Sequence, residues 1–217
     1  MALKLYYHPL SSYCWKVLIA LYENGTPFEP VPVDLQDATG REAFYKLWPI
    51  GKFPVLRDET RDWMIPESSI IIEYLAEHHP GQIDLVAGRD TDRARQIRMR
   101  DRFFDLYVHQ NMQKVVGDVL RPEGRKDPFG VEQAKAQIHT AYGMLDGVMA
   151  TNKWAMGNAF TMADCAAAPA LFYAARVLPN TDHKNVAAYL ERLKARPSFA
   201  RVLKEAEPYF HMFPVKD

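Results

Sequence analysis

The sequence predicts a small α/β layer followed by an all-α helix bundle. Patterns typical of strands and helices alternate over the first 80 residues, in the order β-α-β-α-β-β-α. After residue 90 only helical stripes of apolar residues remain, and the stretch from Met162 to Leu178 carries just two charged side chains, Asp164 and Arg176. A helix without a polar face is expected at the centre of a bundle, so the second part is built around it.

The first part begins with a strand over residues 3–7 and a turn over 8–12. A helix follows, because Cys14, Val17, Leu18 and Leu21 recur at helical spacing, and Asn24-Gly25 is a good signal for its end. The remaining expected elements are an edge strand over 28–35, a short helix over 41–47, a hairpin with strands at 54–57 and 62–65, and a helix over 70–77 capped by Ser68 or Ser69.

The second part contains two long apolar stripes, over about 97–119 and 131–148, which predict two helices packed antiparallel across a loop. Thr161 and Asp164 have the spacing of a capping box at the start of the central helix. Two shorter helices are expected over 186–195 and 199–206. The domain boundaries expected from the Gly- and Pro-rich stretch after residue 80 are residues 1–80 for the first domain, 81–89 for a linker and 90–217 for the helical domain.

The composition excludes several function classes. Among 217 residues, 27 Lys plus Arg balance 27 Asp plus Glu, so no overall field attracts nucleic acid or an acidic membrane. The start of the chain lacks a signal-peptide pattern, and no apolar stretch of about 18 residues is free of charge, which favours the cytoplasm and no membrane partner. Cys14 and Cys165 are too few for a disulfide framework and lack metal-type spacing, so reduced thiols and no metal are expected.

Ser11 and Ser12 lie where the first strand passes into the first helix. A hydroxyl at a helix N-terminus can stabilise an anion such as a thiolate, because unpaired amides and the positive end of the helix dipole are also there. The alternative is a plain helix cap, which local sequence alone favours. Cys14 is a possible nucleophile near the same helix end, but its apolar phase favours burial.

Two further motifs suit a short charged peptide. Gly51-Lys52-Phe53-Pro54 leads into a strand, and a cis Pro54 would turn the neighbouring backbone groups outward for pairing with an extended peptide. Glu67-Ser68 precedes an apolar helix, where the carboxylate could take an ammonium group and the hydroxyl with the helix amides a carboxylate. For each motif alone, an ordinary trans proline or a solvated glutamate beside a cap is the alternative.

In combination, these motifs resemble those of the cytosolic glutathione transferases over essentially the whole chain. The first part is similar to their thioredoxin-like domain, with Ser11-Ser12 after the first strand, the run from Pro49 to Pro54, and Glu67-Ser68-Ser-Ile. The rest is similar to their helical domain, with Gly157-Asn-Ala-Phe before the capping box. Among bacterial-like, serine-type members, the pattern is closest to the zeta and theta classes.

The resemblance implies that glutathione binds as co-substrate along the first domain, at Lys52, Phe53, Pro54, Glu67 and Ser68. The backbone of Phe53 would pair with its cysteinyl part, and Glu67 with Ser68 would hold its γ-glutamyl end. The implied catalytic residue is Ser11, or Ser12 when the chain is aligned with the cysteine-type bacterial class, whereas Tyr6 approximates the catalytic tyrosine of other classes. A hydrogen bond from the serine to sulfur would raise the reactive thiolate fraction.

The resemblance also implies detoxification by conjugation of glutathione to a small hydrophobic electrophile, in a homodimer formed through the long helix and the first domain. The electrophile pocket is expected between the domains. Its expected lining is Leu10, Tyr13, Phe104, Tyr107 and Val108, for which core packing is the alternative. Asp105 or Arg102 would touch the substrate or form surface ion pairs.

Three alternatives remain open at this point. Cys14 could act as the working thiol of a glutathione-dependent thiol transferase through a mixed disulfide. The chain could instead be a non-catalytic, glutathione-binding stress or interaction protein, since every site residue also fits a binding role. Isomerisation of a maleyl-type substrate is suggested by the Ser-Ser start, although Tyr13 stands where that activity would require a cysteine.

Overall fold

The structure, a computed structural model, describes residues 2–88 and 91–214. A four-stranded sheet forms in the order β2-β1-β3-β4. Strand β1 pairs parallel with β2 and antiparallel with β3, which pairs antiparallel with β4, so the expected mixture of strand directions is confirmed. The bounds are Leu3–Tyr7 for β1, Glu29–Pro32 for β2, Val55–Asp58 for β3 and Trp63–Pro66 for β4.

Three helices accompany the sheet: α1 over Ser12–Glu23, α2 over Ala38–Leu47 and α3 over Ser68–His78. Helix α1 is buried along most of its length, because α3 and two helices of the second part pack against it. The expected serine cap of α3 is wrong. Glu67 is the N-cap, without a side-chain cap hydrogen bond, while Ser68 and Ser69 lie inside the helix and are buried. The hydroxyl of Ser69 instead donates to Asp101 at 2.7 Å.

The second part is all-helical. Its long first helix is interrupted by a π-helical segment, which the sequence did not predict, and a 3₁₀ turn follows the final helix. The elements are α4 over Thr91–Phe103, the π segment over Phe104–His109, α5 over Gln110–Leu120, α6 over Pro128–Met149, α7 over Met162–Val177, α8 over Lys184–Lys194, α9 over Pro197–Ala206, and the 3₁₀ turn over Glu207–Met212.

One continuous apolar core joins α1 and α3 to the bundle, with α7 at its centre as expected. A smaller cluster of Val33, Phe44 and Val55 lies between α2 and the sheet. Residues 1, 89, 90 and 215–217 lie outside the described residues, so the predicted linker over 81–89 and the domain bounds at its ends stay a prediction. Within the described ranges, no helix has the length and apolar character needed to cross a membrane.

The predicted capping box at Thr161 and Asp164 forms and extends into a larger buried network. One carboxylate oxygen of Asp164 accepts from the amide of Ala155 at 2.8 Å and the hydroxyl of Tyr189 at 2.6 Å. The other accepts from the amide and the hydroxyl of Thr161, at 2.9 and 3.2 Å. Burial raises the pKa of Asp164, and these hydrogen bonds oppose that rise. A single carboxylate therefore joins α7, the preceding loop and α8.

Replacing Asp164 with Ala should destabilise the protein strongly, because four buried donor groups lose their acceptor. The expected fall in the free energy of unfolding, measured by urea denaturation, is about 3 kcal/mol or more. The matched control is Asp37→Ala, which removes an exposed cap that accepts from the Gly40 amide at 2.6 Å. That control should lose only about 1 kcal/mol. Equal losses in the two variants would contradict the network.

Asp58, at the end of β3, is a fully buried carboxylate. Burial alone would raise its pKa, but hydrogen bonds from Thr60, Tyr74 and His79 outweigh burial and hold the pKa well below its usual range. The Tyr74 hydroxyl lies at 2.7 Å and the His79 ring nitrogen at 3.1 Å. Asp58 therefore links the end of β3 to α3 through its charged form.

The stability contributed by Asp58 should disappear in acid. Since its folded pKa lies below the unfolded value of about 3.9, the contribution is complete above about pH 5 and is lost as pH falls further. We expect Asp58→Asn to be less stable than wild type at neutral pH and to lose less stability between about pH 6 and about pH 3 in urea unfolding. Parallel pH profiles for the two proteins would contradict this assignment.

Candidate functional site

Ser11 is the N-cap of α1 and lies at the wall of a cleft. Its backbone is extended, and its Oγ accepts from the amide of Cys14 at 3.4 Å, as the cap interpretation predicts. A hydroxyl that accepts at a cap retains its own hydrogen for donation. Capping and donation to an anion at this helix end are therefore compatible.

Ser12 is buried and faces the helical part of the protein. Its Oγ is hydrogen-bonded to Nε2 of His109, whose ring packs edge-on against Tyr13 at 4.4 Å between centroids. Burial, and then the charge of Lys16, lower the pKa of His109 to about 3, so its imidazole is neutral at neutral pH. His109 was missed from the sequence, where the only signal is its helical spacing from Asp101 and Asp105.

Cys14 is completely buried in the core between Ser11 and α7. Burial raises the pKa of its thiol to about 12, which outweighs the stabilisation that Ser11 and the His8 backbone would give to the charged form of the thiol. The sulfur is thus protonated and shielded. This geometry matches the burial predicted from its apolar phase and provides no route to a mixed disulfide.

A buried ionic cluster lies behind these residues, centred on Lys16. The Lys16 ammonium contacts Asp101 at 2.5 Å, Asp105 at 2.9 Å and the Ser69 hydroxyl at 2.8 Å. Arg102 contacts the same two aspartates at 2.8 and 3.2 Å, with half of its side chain exposed. Burial raises the pKa of Asp105, and the charge of Lys16 opposes the rise. Asp105 and Arg102 therefore pair within this cluster.

The π segment lets Asp105 and His109 face α1 together. Asp101, Asp105 and His109 are spaced by four residues, and the last two belong to the π segment. Ser12 and Lys16 are spaced identically on α1. The two helices therefore meet through two polar contacts, Ser12 with His109 and Lys16 with the aspartates.

The motif before β3 lies beside the turn that carries Ser11. The Phe53–Pro54 bond is cis, Pro54 is buried and Lys52 is exposed. The ring of Phe53 stacks on His8 with centroids 5.7 Å apart and an interplanar angle of 16°. Burial lowers the pKa of His8, which favours its neutral form.

Glu67 is exposed and has a positive backbone φ of 69°. For a residue with a Cβ this conformation costs about 1 kcal/mol, and such strain tends to occur at functional positions. Ser68 follows as the first residue of α3 and is buried. The carboxylate of Glu67 thus lies next to the unpaired amides at the start of α3.

The cleft beside Ser11 has a volume of about 320 Å³. It is bounded by the turn before α1, by α5 and by the end of the described chain. Its lining is His8, Leu10, Ser11, Ser12, Phe53, His109, Met112, Gln113, Val116, Leu120, Tyr173, Met212, Phe213 and Pro214. The turn, Phe53 and the helical part therefore enclose one apolar space with two serine hydroxyls at its edge.

Of the five residues expected to line the electrophile pocket, only Leu10 lines this cleft. Phe104 and Val108 are completely buried in the core, because the inner side of the π segment packs against α7. Tyr107 is half exposed and lines a separate groove, while Tyr13 packs against His109. The long helix reaches the cleft one turn later, through Met112, Val116 and Leu120.

Tyr6 lies elsewhere as well. Its ring packs against Phe44 of α2, with centroids 6.3 Å apart, in the smaller apolar cluster. Among residues 2–88 and 91–214, no group of three or more His, Cys, Asp or Glu side chains could hold a metal ion.

The separate groove, of about 900 Å³, runs between the π segment with α5 and helix α6. Phe103, Tyr107 and Met144 supply its apolar surface, and Lys114 and Gln137 contribute polar groups. Tyr107 and Met144 are 52% and 61% exposed, and both line this one groove.

Two family models match the chain. The model described as the N-terminal domain of glutathione S-transferase matches residues 5–82, and the model of its C-terminal domain matches residues 128–192. Glutathione S-transferase 3 of Zea mays is 32% identical over 210 residues, covering 93% of each chain. A stringent starvation protein A homolog of Haemophilus influenzae is 29% identical, covering 90% of this chain and 87% of the relative.

Solved structures agree with the expected fold. The glutathione S-transferase of Methylobacillus flagellatus, solved with glutathione bound, superposes with a TM-score of 0.82 at 25% identity, covering 92% of this chain and 98% of that one. This likeness confirms a thioredoxin-like α/β domain followed by an all-α domain.

Proposed function

The chain belongs to the glutathione S-transferase family, and from that premise we propose that it conjugates the thiolate of glutathione to small, neutral, apolar electrophiles, with Ser11 activating the thiol. The observation that carries the proposal is the position of the Ser11 hydroxyl. It lies at the positive end of α1 and lines the same apolar cleft as Phe53. Among the cavities described in residues 2–88 and 91–214, no other is lined by both residues.

Glutathione would lie from Phe53 to Glu67 along the first domain. Its cysteinyl part would pair with the backbone of Phe53, and its γ-glutamyl ammonium would meet the carboxylate of Glu67. Ser68 and the first amides of α3 would receive the γ-glutamyl carboxylate. Lys52, exposed beside Pro54, would offer a positive charge to the remaining carboxylate of the tripeptide.

Ser11 is a better activating residue than Ser12. The Ser12 hydroxyl is buried against the neutral imidazole of His109, whereas Ser11 is only half buried and its cap bond uses a lone pair rather than the hydrogen. In the reaction, a hydrogen bond from Ser11 stabilises the thiolate and the thiol proton leaves to solvent. The sulfur then forms a bond to the electrophilic carbon, and a leaving group such as chloride departs with its electron pair.

The cleft favours neutral electrophiles over organic acids. Apart from the two serines, its polar residues in the described part of the chain are His8, His109, Gln113 and Tyr173, and no Lys, Arg, Asp or Glu side chain lines it. Burying a carboxylate without a charged partner is costly. A maleyl-type substrate, with two carboxylates, would therefore bind poorly, and the neutral imidazoles add no positive charge.

A non-catalytic role is the second candidate, because the Haemophilus influenzae relative is a stringent starvation protein A homolog and not a transferase by name. Measurable conjugation of glutathione by the wild-type protein would support the transferase and exclude the non-catalytic role. The Cys14-based thiol transferase is disfavoured, since that thiol is buried and its pKa is raised.

A homodimer in the cytoplasm, typical of the family, is part of the proposal. The groove between α5 and α6, with the exposed Tyr107 and Met144, supports a second copy at this face, because isolated chains rarely expose such apolar groups together. Covering these residues would not obstruct the separate cleft beside Ser11.

Replacing Ser11 with Ala should lower kcat/KM for conjugation of glutathione to chlorodinitrobenzene by about a hundredfold, because one hydrogen-bond donor to the reacting anion is lost. Glutathione should still bind with nearly the wild-type Kd. A pH titration of the thiolate absorbance of bound glutathione should show its thiol pKa raised in this variant relative to wild type.

Ser12→Ala and Cys14→Ala are the matched controls, and both should retain most of the activity and the wild-type thiol pKa. Full activity in Ser11→Ala would remove Ser11 from the mechanism. Binding of glutathione with an unshifted thiol in the wild-type protein would favour the non-catalytic candidate.

Introducing a charge at the groove should weaken the dimer. We expect Tyr107→Glu together with Met144→Glu to convert the protein to monomers at micromolar concentration, as measured by size-exclusion chromatography with light scattering. Val119→Glu, a similar change at an exposed residue near the end of α5, is the control and should remain dimeric. A dimer that persists in the double variant would place the interface elsewhere.

A further inference from the structure

Arg176 lies in the last turn of α7, surrounded by aromatic rings. Its guanidinium carbon is 5.0 Å from the ring centroid of Phe172, 5.4 Å from that of Phe210 and 5.7 Å from that of Phe213. Phe172 belongs to the same helix, whereas the other two belong to the segment that follows α9. One cation thus joins the central helix to the last described stretch of chain.

This stretch, residues 207–214, which we call the C-terminal segment, makes further aromatic contacts. Phe210 stacks on Phe172 with centroids 5.8 Å apart and an interplanar angle of 27°, and it lies 6.2 Å from Trp15 of α1. Phe213 packs against Tyr173 at 5.2 Å. No residue of the 3₁₀ turn is fully buried, and Phe210 and Phe213 attach the segment to the core as partly buried side chains.

The same segment forms one side of the cleft beside Ser11, where the electrophile is proposed to bind. Met212, Phe213 and Pro214 line it together with Leu10 and Val116. Tyr173, which supports Phe213, also donates from its hydroxyl to the carbonyl of Leu10 at 2.8 Å. Phe213 and Leu10 are thus both attached to Tyr173, which also lines the cleft.

We propose that Arg176 is a positioning residue that determines electrophile binding, because it holds Phe210 and Phe213 against α7 and thereby fixes Met212 and Phe213 as a wall of the cleft. This inference rests on the proposed conjugation and names a residue that does not itself line the cleft. The glutathione groups of the proposal, at Phe53 and Glu67, lie on the sheet domain and make no contact with this cluster among the interactions described.

Arginine suits this position better than lysine would. A planar guanidinium stacks over several rings and is weakly hydrated, whereas an ammonium group is a compact, strongly hydrated charge. Cation–aromatic attraction strengthens when the partners are shielded from water, and Arg176 is partly buried. Loss of the cation should therefore release the segment more than it disturbs α7, which is central and buried.

The test compares Arg176→Leu and Arg176→Lys with wild type in conjugation of glutathione to chlorodinitrobenzene. We expect Arg176→Leu to raise KM for the electrophile about threefold to tenfold while KM for glutathione stays unchanged. Arg176→Lys should give an intermediate increase. Hydrogen–deuterium exchange should show faster exchange of the amides of residues 209–213 in both variants.

Arg192→Leu is the matched control, since this arginine lies over the Tyr189 ring at 5.7 Å on α8, away from the cleft. It should change neither KM nor exchange in the C-terminal segment. Phe213→Leu should reproduce the increase in electrophile KM without removing the cation. Equal increases in both KM values, or an unchanged electrophile KM, would overturn the role of Arg176.

Exchange also separates this inference from the proposed function. A wild-type protein that fails to conjugate would overturn the proposed function alone, and faster exchange in Arg176→Leu would still show that the cation holds the segment. Unchanged amide exchange in the C-terminal segment of Arg176→Leu would overturn the proposal that Arg176 holds this segment against α7, whatever the activity of the wild-type protein.

Discussion

The burial of Lys16 between Asp101 and Asp105 is the constraint on which the arrangement of the site depends. An ammonium group that is only 1% exposed is tolerated because two carboxylates and the Ser69 hydroxyl surround it. Removing one partner from such a cluster usually costs about 3–5 kcal/mol, since it leaves an uncompensated charge in the interior. The contacts join α1, α3 and the long helix, which are the elements that carry Ser11, Glu67 and the wall of the cleft. The cluster therefore fixes α1, whose N-cap is Ser11, relative to α3, whose N-cap is Glu67.

Sequence patterns predicted most of the fold because its elements follow simple periodicities. The apolar run of α7, the Thr161–Asp164 spacing and the prolines of β2 are each local signals whose meaning does not depend on distant residues. The π segment could not be predicted in this way, because its cause lies in contacts across helices. Its Asp105 and His109 meet partners on α1 that are 89 and 97 residues away in sequence.

Local motifs also indicated that Ser11 precedes α1, that the Phe53–Pro54 bond is cis and that Glu67 precedes α3, and the structure has these features. The roles of these residues in binding and catalysis stay a prediction. The residues that line the cleft could not be predicted from local motifs. Helical phase shows which side of a helix faces inward, but it does not show which inward residue borders a cavity. Phe104 and Val108 share the phase of Met112 and Val116, yet the first pair packs in the core and only the second reaches the cleft.

The cleft wall and the proposed glutathione site are formed by different elements, so substitutions can change one without the other. The residues proposed for glutathione lie on the sheet domain and α3, while Met212, Phe213 and Pro214 lie on a peripheral segment after the last helix. Substitutions in this peripheral segment should destabilise the folded state less than substitutions in α7 or α1, which pack in the shared core. Substitutions at these three positions would therefore change the cleft wall while leaving the residues proposed for glutathione unchanged.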